Sequence, residues 1–125
     1  MKSRESLIRL KRFQVDEKRR QVSQVEMMIA EFMRMIGDLD DQIVAEQNRV
    51  GIHDITHFAY PTFAKAARLR RDNLRTSQAG LIEQRRTAEQ MLSEATAELE
   101  KAEMLESRDS RGRDAEHEVR SAIMN

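Results

Sequence analysis

His53 and His57 stand four residues apart with Asp54 between them. On a helical turn that spacing puts two imidazoles on one side, where they could hold a divalent metal ion with the carboxylate as a third ligand. No cysteine accompanies them anywhere in the chain. The plainer reading is a pair of exposed loop histidines, and the expectation is neither metal nor cofactor. The sequence has no GxxxxGKS phosphate loop, no GxGxxG, no HExxH and no GxSxG, so the glycine cradles, paired metal ligands and nucleophile turns behind those motifs are missing. A non-enzymatic protein is expected, with no catalytic residue.

Two apolar groups invite a binding reading instead. Phe58, Tyr60 and Phe63 place three of the chain's five aromatics within six residues. They either plug a turn or serve as binding anchors, since aromatics concentrate in interface hot spots. Met27, Met28, Met33 and Met35 surround Ile29, Phe32 and Ile36. Methionines at such spacing either fill a seam or form an adaptable docking surface, because the flexible thioether repacks against varied partners.

The elements that must position these groups are helical. Charged residues make up 35% of the chain, aromatics 4%, with four Gly and one Pro in 125 residues. A β-sandwich or barrel needs far more turn residues, and a large globular core needs more aromatics. Ile8, Val15, Val22, Ile29, Ile36, Ile43 and Val50 recur every seven residues, which defines position a of a heptad and a long helix packed along a left-handed seam. Position d carries Lys11, Lys18, Val25, Phe32, Leu39 and Glu46, apolar only in the middle. A fainter heptad follows through Tyr60, Ala67, Leu74, Leu81, Ala88, Ala95 and Ala102. The expected fold class is all-α, two long helices forming an antiparallel coiled-coil hairpin. It occupies residues 1–108: a helix over about 3–50, a turn over about 51–60, and a helix over about 61–108. Gly51 suits the position just past a helix end, Asp54 or Thr56 a short capped turn, and Pro61 the first helical position. Residues 109–125, polar and interrupted by Gly112, read as a weakly helical or flexible tail.

Charge decides how the helices pair. Residues 1–20 hold eight basic and three acidic residues; 21–63, two and seven; 64–86, seven and two; 87–125, five and ten. Folding back near residue 55 pairs residues whose numbers sum to about 110 and sets each basic block beside an acidic one. A parallel homodimer would stack like on like. Exposed pairs are worth only ~0.2–1 kcal/mol each, but the repulsive alternative specifies orientation, so no obligate homodimer is expected. The same registration faces large a residues with small ones, Ile43 with Ala67 for example. Helices of this length span about 70 Å at 1.5 Å per residue, leaving no enclosed pocket of the catalytic kind. The basic blocks could follow a nucleic-acid backbone, but a net charge of zero argues against it, because phosphate binding favours a basic excess. No run approaches the ~18 apolar residues that span a bilayer, and the basic start MKSRESLIRLKRF has no apolar core of a secretory signal.

The strings SRESLIRLKRFQVDEKRRQVSQVEMMIAEF and DITHFAYPTFAKAARLRRDNL resemble the flagellar type III export protein FliJ family. The likeness spans roughly residues 3–106. It implies an antiparallel two-helix coiled coil similar to the rotor stalk of F-type ATP synthase. It further implies a cytoplasmic protein, peripheral at the inner face of the membrane, reaching the membrane only through its partners. Those partners would be the export ATPase, the membrane-embedded export gate and export chaperones. The family's gate-contacting surface lies near the start of the second helix, which carries over to Phe63, three residues after Tyr60, with Ala67, Arg70 and Leu74 on the same side. The expected partner-binding residues are therefore Phe58, Tyr60, Phe63, Ala67, Met27, Met28, Met33 and Met35.

Overall fold

A computed structural model describes residues 2–124. It holds two α-helices packed against each other, α1 (Lys2–Val50) and α2 (Thr62–Met124), and no strand among the described residues. The all-α class and the helical hairpin are as the heptads predict. Cα proximity divides the chain into two units. Unit 1 comprises Met1–Val22 and Ala88–Asn125, and unit 2 comprises Ser23–Thr87.

In unit 1 the buried residues are Ile8, Val15, Ala88 and Ala102, large side chains from α1 and small ones from α2. Lys11 is half-buried at a d position. Its stem covers the seam while its ammonium reaches the Glu98 carboxylate at 2.8 Å. Arg4 pairs with Asp109, and Arg12 lies 3.5 Å from Glu103. These pairs join the first basic block to the last acidic one. Their numbers sum to between 109 and 115, close to the predicted 110.

In unit 2 the core is Leu39, Ile43 and Ala67, with Leu74 packed on it. Ile29, Ile36, Leu81, Ala64 and Tyr60 are buried as well. Arg71 donates to Asp40 at 2.9 Å across the helix pair, a sum of 111. That contact raises the Arg71 pKa, the bond to Asp40 outweighing burial. Arg75 approaches the same carboxylate at 3.7 Å.

Two boundaries differ from expectation, while the end of α1 at Val50 does not. Pro61 is not the first helical residue. Its carbonyl accepts the Lys65 N–H at 3.0 Å, which makes it the cap and Thr62 the first helical residue, where proline's missing N–H is still harmless. Val50 is 38% exposed and ends the seam, because Gly51 turns the chain away with φ 78°. The predicted tail is helix: α2 continues through Gly112 to Met124. No proline interrupts the stretch, one glycine costs only ~1 kcal/mol, and Asp109 and Arg113 are held by Arg4 and Glu106.

The Lys11–Glu98 contact gives stability a pH dependence. The hydrogen bond from Lys11, then its charge, holds Glu98 below the ordinary glutamate value of 4.5. A carboxylate depressed in the folded state stabilises above its unfolded pKa, and that contribution fades as pH falls through the folded one. The thermal midpoint of the Lys11→Gln variant should therefore lie below wild type at neutral pH, and the two should converge as pH drops below about 4.5. Circular dichroism melts between neutrality and pH 3 check this, and parallel curves at every pH would contradict it.

Candidate partner-binding surface

The turn is built from short-range bonds. Gly51 N–H donates to Gln47 O at 2.8 Å, closing α1 with a left-handed glycine. The Asp54 carboxylate accepts from both the Thr56 N–H at 2.9 Å and the Thr56 hydroxyl at 2.7 Å, an Asx turn. Those bonds, the hydroxyl's first, hold Asp54 below its ordinary pKa. His57 N–H then bonds Asp54 O, and Tyr60 N–H bonds His57 O, two successive tight turns that deliver the chain to Pro61.

In this turn the two histidines take different partners. His53 Nε2 lies 3.0 Å from Asn48 Oδ1, while His57 Nδ1 accepts the Ala59 N–H at 3.0 Å. Among the described residues no three His, Cys, Asp or Glu groups converge as metal ligands would.

The aromatics part company too. Phe58 is 97% exposed, and its ring stacks on His57 at 4.7 Å. Phe63 is 55% exposed, one residue into α2. Tyr60 is buried, with its hydroxyl accepting from Gln47 Nε2 at 2.8 Å. Of the two readings left open for it, Tyr60 is placed as the plug of the turn, satisfied by a hydrogen bond to α1. Ala67, 7% exposed, packs in the core with Leu39 and Ile43.

Beside Phe63 the surface is concave. Two adjoining hollows of about 190 and 180 Å³ share Leu39, Gln42 and Arg70. Met35, Asp38 and Leu74 complete one, while Phe63, Ala66 and Ala67 complete the other. Phe63 and Met35 thus stand at opposite ends of one shallow groove whose floor is core side chains. Its polar rim is Asp38, Gln42 and Arg70, and Arg70 makes no ion pair among the described residues. The opposite flank of unit 2 is closed by the Asp40–Arg71 pair. Heptad position explains the difference. Met35 and Gln42 are both g residues of α1, while Asp40 is an e residue on the other side.

The methionines divide accordingly. Met28, 49% exposed, shares the g flank with Met35; Met33, 63% exposed, lies on the e flank; Met27, 71% exposed, points outward at f. They do not form one surface. Sequence reasoning did not single out Gln42, Ala66 and Asp38 as groove residues, nor Ala64, which is fully buried. The run Ala64, Ala66, Ala67 was the available signal, since small side chains at the start of a helix let a partner helix come close. Comparison with family models, curated proteins and solved structures gives no match.

Proposed function

We propose that this chain is a non-enzymatic coiled-coil component of the flagellar protein-export apparatus. It acts as a stalk or escort between the export ATPase, the membrane-embedded export gate and export chaperones. The reading rests on the likeness of residues 3–106 to the FliJ family, and the two-helix hairpin suits it. It places the chain in the cytoplasm, at the inner face of the membrane through its partners. No helix among the described residues is long and apolar enough to cross a membrane itself. The observation that carries the reading is Phe63. The family's gate contact falls near the start of the second helix, and here that position holds a half-exposed aromatic at the end of a shallow groove. Some of the basic side chains a nucleic-acid arm would use are instead turned onto carboxylates, Lys11 on Glu98 and Arg71 on Asp40.

Phe63→Ala should weaken binding to the export gate by about 1–2 kcal/mol, the range for truncating an interface anchor, and reduce swimming in a bacterium whose own copy has been deleted. Helicity should stay at the wild-type level, because the side chain stands outside the core. Full motility with an intact fold would remove Phe63 from the interface, and failure of the wild-type chain to co-purify with either the ATPase or the gate would remove the function.

A further inference from the structure

Residues 111–124 of α2 are helical, and every one is exposed. They run past the start of α1. Arg4 already pairs with Asp109, so in the antiparallel register nothing among the described residues lies opposite those beyond about 111. A helical segment this short with no packed face is marginal in water. Yet this one carries an apolar stripe, Ala115, Val119, Ala122 and Ile123, at helical spacing. Val119 is 58% and Ile123 78% exposed, and a hollow opens along the stripe between Ala115, Val119, Glu116 and Arg120. The charges beside it are unused as well. Glu116, Glu118 and Arg120 make no ion pair among the described residues, whereas Arg4, Lys11 and Arg12 in the same unit all meet carboxylates of α2.

We propose that this face pairs with the same face of a second copy of the chain, antiparallel and two-fold symmetric, with facing residue numbers summing to about 236. The edge of the stripe decides both occupant and direction. Glu116 and Arg120 lie on one edge, four residues apart. In a two-fold antiparallel pair each edge faces its own counterpart, so Glu116 of either copy meets Arg120 of the other. A parallel pair gives no such match, and a partner of uniform charge attracts one of the two and repels the other. Glu118, on the opposite edge, meets its counterpart near the axis, which keeps the contact weak. The face is also short, well under the ~1,200 Å² of a stable interface, so the pairing is reversible and concentration-dependent rather than an obligate dimer.

Sedimentation velocity of the full chain from micromolar to sub-millimolar concentration tests this. The average mass should rise toward the dimer, and Val119→Asp should hold the chain monomeric. Glu116→Arg or Arg120→Glu alone should weaken self-association about ten-fold, from two lost pairs and two new repulsions. Mixing those two single variants, or combining both changes in one chain, should restore it. Circular dichroism of each variant separates lost pairing from lost helix. A chain that stays monomeric throughout overturns the proposal. So does a dimer indifferent to Val119→Asp, or a charge reversal that the complementary reversal fails to rescue.

Discussion

Ile43→Asp is expected to destabilise the hairpin by about 4 kcal/mol or more, while Val44→Asp next to it changes stability by no more than about 0.5 kcal/mol. Ile43 is 3% exposed, packed in the cluster with Leu39 and Ala67, whereas Val44 is 54% exposed. The first change removes most of a buried branched side chain and places a carboxylate among the apolar side chains of Leu39 and Ala67. Arg71 is already committed to Asp40 and Asp72. The second exchanges two residues of similar helix propensity on a wet surface. Chemical denaturation followed at 222 nm would measure both. Equal losses would mean that α1 is rotated by a residue from the register described above.

That register was legible because a branched residue every seventh position is a strong signal, and Ile8, Val15, Ile29, Ile36 and Ile43 are all buried. α2 was legible only in part. Its seam is mostly alanine, and alanine is common on every face of a helix, so Ala64 carried no periodic mark although it is 0% exposed. Off-seam apolar residues blurred the pattern further: Leu69 is 65% and Met104 69% exposed. The far end of α2 was misjudged because polarity and one glycine look alike in a tail and in a solvated helix.

The site shows the same division. Phe63 and Met35 could be picked from type and position, because both fall beside the seam. Tyr60 could not be told from an anchor, since its hydrogen-bond partner Gln47 lies thirteen residues upstream and only the folded turn brings the two together. The groove was hidden for a related reason. It is a property of two helices at once, open where Met35 and Gln42 face Phe63 and Arg70, and closed on the flank where Asp40 meets Arg71.

The alanine that carried no sequence signal makes the sharper test of the tip. Ala64→Leu should destabilise by about 1–3 kcal/mol, the usual cost of forcing extra methylenes into a packed site, although leucine is a good helix former and would be harmless on an exposed face. Ala64 is 0% exposed and, like Tyr60, is buried. A pairing sum near 111, as in the Arg71–Asp40 contact, puts it level with Gln47. Three added carbons there must push α1 away or displace the Tyr60 ring from Gln47, and either movement also widens the groove that begins at Phe63. Phe63→Leu one residue earlier keeps an apolar group on the surface and should leave stability within about 0.5 kcal/mol of wild type. Thermal melts of the two variants, with amide hydrogen exchange across residues 44–67, separate the cases. Ala64→Leu should speed exchange at the end of α1 and the start of α2. Unchanged melting and unchanged exchange would show that the helices do not approach closely at Ala64, and that the turn is held by Tyr60 and Gln47 alone.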